Sequence, residues 1–286
     1  MITVTKYDAP LGAEISGIDC SGEISREALA TIERAWYDNL VIVFRGQKLD
    51  DDQLLAFASR FGELDDAPPN PSGKPWLADY PKLNVVTNMR DEKGNLIGSH
   101  GNAEMSWHSD LSYHPVPAAA SMLYGIVCPP EGGATHFANM YLAYEKLPQD
   151  IKNAINCRRA IHDISTNSVG TLRAGYQKVT DPRNAPGCHH PLVRLHPKTG
   201  RKALFLPRRL NAYILGLSLE DSEALLDELW AHAVKPEITW GHRWQAGDLV
   251  MWDNRCILHR RDSFDDSHPR LLHRAQTKGT EAPIPG

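Results

Sequence analysis

The chain has 286 residues, 42% of them hydrophobic, and 31 Lys and Arg set against 35 Asp and Glu leave a formal charge of -4. That length allows one large domain or two ordinary ones with a sizeable core, and a mildly acidic chain without a long basic run excludes phosphate-backbone binding as its main business, so no nucleic acid partner is expected. Five scattered Cys without a CxxC pair fit reduced thiols, and neither a leader nor an apolar run of about 18 residues is present, so a cytoplasmic protein without a membrane partner is expected.

In chain order, Ser25 can cap a helix whose Leu29, Ile32 and Trp36 share a face. Leu40 to Phe44 is a short apolar run and predicts a buried strand, and Asp51 to Phe61 predicts a second helix with acidic residues in its first turn and Gly62 as its stop. Asp65 to Lys74 is too rich in Pro, Asn and Gly for regular structure, and Ser165 to His190 is a long interrupted stretch. We expect the wider segments 61–105 and 160–190 to act as lids over a pocket.

Ala118 to Val127 predicts a strand, and Leu192 to Leu206 a hairpin turning at Lys198-Thr199-Gly200. Met140 to Leu147 and Ser218 to Ala233 predict helices. Strands return at Leu249 to Trp252, Ile257 to His259 and Arg270 to Thr277. Many short strands, few helices and no alternating βαβ rhythm predict a mainly β chain with decorating helices on a double-sheet jelly-roll core, forming a single domain over 1–286.

The most informative string is Trp107-His108-Ser109-Asp110. On a strand, residues i and i+2 face the same side, so His108 and Asp110 would present an imidazole and a carboxylate together. HxD alone is a common tripeptide. A third ligand is available in His259, on an apolar run after Gly247-Asp248-Leu249-Val250-Met251-Trp252-Asp253-Asn254-Arg255, although a lone His there is more often a core residue. Two His and one carboxylate leave coordination positions open, which suits Fe(II) and also catalytic zinc. Arg270 and Arg274 would share a strand face with Leu272, aiming two guanidiniums at the same cavity, where anions must meet them. Exposed edge-strand arginines are the plainer alternative.

These motifs in order, with Glu131-Gly132-Gly133-Ala134-Thr135, Phe44-Arg45-Gly46-Gln47 and Arg60-Phe61-Gly62, resemble the taurine dioxygenase and TfdA-type group of Fe(II)- and 2-oxoglutarate-dependent dioxygenases over nearly the whole chain. The resemblance implies that His108, Asp110 and His259 hold iron, that Arg270 with Thr135 binds the distal carboxylate of 2-oxoglutarate, and that Arg274 faces an anionic substrate head, with Trp107 and Asn102 at the substrate pocket. It implies O2 as the second co-substrate and succinate and CO2 as co-products. Hydroxylation beside a heteroatom would cleave a C–S or C–O bond.

Leu64-Asp65-Asp66-Ala67-Pro68 stands where taurine-using members carry a His, and Ala103-Glu104-Met105-Ser106 replaces their polar residues ahead of the Trp-His pair. The stretches 101–110 and 253–259 are closer to members acting on aryloxyalkanoates. The expected substrate is therefore a small organic anion: a sulfonate, a sulfate ester or an aryloxy or alkyl carboxylate. A homo-oligomer is expected. A zinc hydrolase on the same triad and a non-catalytic jelly-roll binding protein are the alternatives. Cys188-His189-His190 and His162-Asp163 are weaker metal candidates, and no P-loop, GxGxxG, HExxH or GxSxG occurs.

Overall fold

A computed structural model describes residues 2–103 and 105–286, so Glu104, part of the departure ahead of the Trp-His pair, lies outside the described residues. The architecture is mainly β, as expected. An eight-stranded sheet runs in the order Thr3–Lys6, Ala13–Ser16, Val41–Phe44, Leu249–Asp253, Ala120–Val127, Leu271–Thr277, Asn84–Thr87 and Ser99–His100. Its counterpart has four strands, in the order Thr239–His242, Thr135–Asn139, Ile257–Arg261 and Met105–His108. The chain crosses from the large sheet to the small one between Asp253 and Ile257, so the Asp253-Asn254 turn links the Leu249–Asp253 strand to the strand that carries His259.

Burial explains why these segments are strands. Val41–Phe44 is wholly buried, consistent with an unalternating apolar run covered on both faces. One core cluster takes in Phe137 and Leu258 of the small sheet with Val250 and Trp252 of the large one. A second joins the large sheet to the two N-terminal helices through Ile32, Trp36, Ile42, Leu54, Phe57 and Met251. The first helix, Arg26–Asn39, is capped by Ser25, whose hydroxyl accepts from Ala28 N. The second, Asp51–Ser59, opens with a reciprocal box between Asp50 and Gln53, worth about 1 kcal/mol for the cap alone. The helix expected from Ser218 runs over Leu219–Ala233, capped by that residue.

Two expectations need correction, and one helix adds to them. The 160–190 segment begins and ends in paired strands, Arg159–Asp163 with Gly187–Pro191, flanked by Tyr213–Ile214; Ala160, Ile161 and His162 are buried there. Its irregular part is the stretch between these strands. Likewise 61–105 includes the buried strand Asn84–Thr87 in the large sheet. The helix Gln149–Ile155 was not foreseen, because only Ile151 and Ile155 are buried along a short polar run. No helix among the described residues is long and apolar enough to cross a membrane.

Candidate active site

His108 and His259 converge because they are direct cross-strand partners in the four-stranded sheet; their ring centroids lie 4.2 Å apart. Asp110 reaches them for a different reason from the one expected. The strand ends at His108, and Asp110 sits in the following turn, where Leu111 takes a left-handed φ of 51°. That conformation costs a non-glycine residue about 1 kcal/mol, a strain that sits directly beside the carboxylate.

The three groups face one another across a gap. His108 Nε2 is 3.6 Å from Asp110 Oδ1, and His259 Nε2 is 3.8 Å from Asp110 Oδ2. These separations exceed hydrogen-bonding distance, yet all three residues are buried and their ligand atoms lie within 4.8 Å of one another. His108 Nδ1 is 2.7 Å from the Ser106 carbonyl, which can only accept. The proton therefore sits on Nδ1, leaving the Nε2 lone pair directed into the gap. Two imidazole nitrogens and a carboxylate around such a space match the donor set of a divalent transition metal.

Asp110 is itself held from behind. Ser121 Oγ donates to its Oδ2 at 2.7 Å, and that hydroxyl accepts from Asn254 Nδ2 and Gln276 Nε2, both at 2.9 Å. Arg274 Nη1 donates to Oδ1 at 3.2 Å. Burial on its own would raise the Asp110 carboxyl, but Arg274 and then the two imidazoles outweigh it and hold the group well below the usual carboxylate range.

Arg270 lies just ahead of the Leu271–Thr277 strand rather than in it, four residues before Arg274, and both side chains line the same inner cavity. Its backbone is pinned by Asn88 Oδ1, which accepts from Arg270 N, and by Thr87 Oγ1, which donates to Arg270 O. The side chain is 1% exposed, while Nε and Nη1 have no hydrogen-bond partner among the described residues. Burial, followed by repulsion from Arg261, pushes its pKa down to about 9. The Gly132-Gly133 pair explains itself here: Gly133 has φ 63°, and a Cβ would lie 3.3 Å from Arg270 Nε. Thr135 Oγ1 accepts from Trp244 Nε1 at 2.9 Å, so the hydroxyl proton is left to donate.

Thr135, His259, Arg261, Arg270 and Arg274 line a narrow inner cavity, which meets a larger one of about 1000 Å³ at Met105 and Arg274. The outer cavity reaches from His108 and Asp110 to the irregular segments, through Pro68 to Ser72 on one side and Asn167 to Arg173 on the other. Trp107 and Asn102 line neither cavity: the Arg260 guanidinium lies over the Trp107 ring, 5.5 Å from its centroid, and Asn102 Nδ2 donates to Phe264 O. Alternation along the strand turns Trp107 away from the side that His108 faces. Residues that the sequence reading missed include Ser121, Trp244, Tyr113, Arg173 and Arg208. Arg208 had a usable signal, an arginine separated only by Pro207 from the apolar run Ala203 to Leu206.

The weaker metal candidates are not assembled. His190 Nε2 is 2.9 Å from the His114 carbonyl within a strand, and His162 packs between His190 and Phe205. Asp163 accepts from Ser165, Thr166 and Asn211.

Comparison with known proteins agrees with the geometry. The chain is 37% identical over 274 residues to the alpha-ketoglutarate-dependent 2,4-dichlorophenoxyacetate dioxygenase of Cupriavidus pinatubonensis, covering 93% of each. It is 31% identical to the alpha-ketoglutarate-dependent sulfate ester dioxygenase of Pseudomonas putida, covering 97% of this chain and 88% of that one. The crystal structure of AAD-2 in complex with Mn(II) and N-oxalylglycine superposes with a TM-score of 0.80 and 32% identity over 99% of this chain and 100% of that one. With residues 3–276 matching its family model as well, the chain belongs to the taurine catabolism dioxygenase TauD, TfdA family.

Proposed function

We propose that the chain is an Fe(II)- and 2-oxoglutarate-dependent dioxygenase that hydroxylates a small anionic organic substrate, releasing succinate and CO2. The observation that carries this reading is Arg270, a guanidinium 1% exposed with two unpartnered nitrogens beside the His108, Asp110 and His259 gap. A buried cation without a counter-charge is costly, and a dicarboxylate co-substrate supplies one. A zinc hydrolase would leave Arg270 without a role.

In this reading His108, Asp110 and His259 hold the iron, which when bound supplies O2 activation coupled to decarboxylation of 2-oxoglutarate. Arg270 takes the distal carboxylate through its fork, the Thr135 hydroxyl donates beside it, and Trp244 fixes that hydroxyl's orientation. Phe264 and Trp244 flank the Arg270 guanidinium at 5.7 and 6.0 Å and keep water from it, which strengthens the ion pair. Arg274 stands between Asp110 and the outer cavity and orients the substrate anion, so that the oxidised carbon lies near the metal. The segments around Pro68 to Ser72 and Asn167 to Arg173 are proposed as lids.

The substrate class follows from the relatives, one named for an aryloxyacetate and another for sulfate esters, and from the arginines in the cavity. Five cysteines free of disulfides support a reducing compartment, the cytoplasm, and the assembly proposed is a homo-oligomer, which sedimentation would read. The function is tested by incubating the protein with Fe(II), 2-oxoglutarate and a panel of aryloxy acids, alkyl sulfates and sulfonates. Succinate release stimulated by at least one panel member is expected, with none when Zn(II) replaces Fe(II). Hydrolysis supported by Zn(II), without succinate, would contradict it.

A further inference from the structure

The outer cavity contains more positive charge than one substrate anion requires. Its walls include four guanidiniums, Arg90, Arg173, Arg208 and Arg274, against two carboxylates, Asp91 and Asp110. Asp91 is occupied by its own turn, accepting from Lys93 N and from both nitrogens of Asn95. Asp110 belongs to the metal-side group. Among the described residues, Arg90, Arg173 and Arg208 have no carboxylate in salt-bridge range.

Arg208 is the clearest case. It is 8% exposed, and its two described hydrogen bonds go to neutral oxygens, Nη2 to the Asp163 carbonyl at 3.0 Å and Nη1 to Ser168 Oγ at 3.4 Å. The Asp163 carboxylate is turned elsewhere, filled by Ser165, Thr166 and Asn211. Arg173 stands next to it with only a 3.4 Å contact from Nε to Thr166 O. Both guanidiniums lie over the Tyr113 ring, at 4.8 Å for Arg173 and 5.6 Å for Arg208, which offsets part of the desolvation. Neither has a carboxylate in salt-bridge range among the described residues. Burial and then repulsion from Arg173 lower the pKa of Arg208, as expected of two like charges placed side by side.

Two adjacent cations, anchored by neutral groups and opening on a cavity, form an arrangement that an anion stabilises. We propose that Arg173 and Arg208 form a second anion subsite, and that the substrate is a dianion, with one anionic group toward Arg274 and a carboxylate, sulfonate or sulfate at its far end on this pair. The cavity of about 1000 Å³ accommodates such an extended molecule. The proposal rests on the dioxygenase reading above and adds what the substrate's remote end must be. Asn167, Ser168 and Thr171 line the same wall and supply neutral donors around the pair.

The test uses the anaerobic Fe(II)/2-oxoglutarate complex of the full chain and two probes of nearly equal size, 4-carboxyphenoxyacetate and its para methyl ester, titrated by calorimetry. The diacid is expected to bind about tenfold or more tightly than the ester, the size of one charge-assisted pair. Arg208→Gln and Arg173→Gln should each bring that ratio close to one, while 2-oxoglutarate still gives its visible charge-transfer band. Arg173 is only half-buried, so its variant decides the matter if Arg208→Gln does not fold. A diacid that binds wild type no more tightly than the ester, including no binding of either, overturns the subsite, and so does a preference that survives both substitutions. Absence of the charge-transfer band in wild type would instead overturn the dioxygenase reading, so the two failures are distinct.

Discussion

Two buried clusters among the described residues bring together metal-ligating side chains within 4.8 Å, His108, Asp110 and His259 on one side and His196, Asp253 and Cys256 on the other. Only the first is open. In the second, His196 Nδ1 accepts from Lys198 N and Thr199 N, and Nε2 donates to Asp253 Oδ2 at 2.9 Å. Arg255 closes the carboxylate with a fork, Nε to Oδ1 and Nη2 to Oδ2, both at 2.7 Å. Burial, with Asp253 adding to it, pushes the Cys256 thiol well above its ordinary range, so no thiolate is on offer. Proximity of ligand types is thus shared, and unsatisfied lone pairs separate a reactive site from a brace. The brace still serves the site, because it holds the turn between the sheets that leads into the strand carrying His259.

The contrast can be broken most directly at its open member. His108→Ala should abolish iron retention and succinate release, with little change in thermal unfolding, because the residue faces a gap instead of closing a network; metal analysis and calorimetry would read the two effects. Next in size, Arg270→Ala should raise KM for 2-oxoglutarate about 100-fold, the worth of a pair of charge-assisted hydrogen bonds, with a smaller effect on the substrate. Arg274→Ala should do the reverse, and equal effects on both ligands would refute that division of roles.

The closed cluster should respond in stability. Asp253→Asn leaves Arg255 buried without its counter-charge and is expected to cost about 3 kcal/mol in unfolding free energy, while folded protein still binds iron. Burial by itself would raise the Asp253 carboxyl, but Arg255 and His196 hold it far below its unfolded value. A depressed carboxylate contributes stability above about pH 4 and loses it as the pH falls below that, so Asp253→Asn should flatten the acid limb of the stability profile. The smallest effect is expected at Ser121→Ala, which removes the donor to Asp110 Oδ2. Iron affinity should fall about tenfold with the fold retained, and an unchanged affinity would remove Ser121 from the positioning network.

The sequence was most legible where a side chain's identity alone restricts its chemistry. His108, Asp110, His259, Arg270 and Thr135 were named from motifs, and all five line the joined cavities. The reasons given for them were less secure. Asp110 lies in a turn just past the end of one strand and Arg270 just ahead of another, so strand alternation alone does not fix either position. Trp107 was misread because adjacency to a ligand in sequence means the opposite face of a strand. Arg173 and Arg208 escaped notice because the fold unites them from separate segments, and the 160–190 stretch concealed two short strands that pair with each other, the first of them largely buried.

The central claim is that the open cluster and Arg270 together bind iron and 2-oxoglutarate. Anaerobic titration of the apoprotein with Fe(II) and then 2-oxoglutarate, followed by visible absorption, tests it without knowledge of the substrate. A charge-transfer band that saturates at one equivalent of each, and is lost in His108→Ala, is the expected result. Folded wild-type protein that develops no band at saturating Fe(II) and 2-oxoglutarate would contradict it.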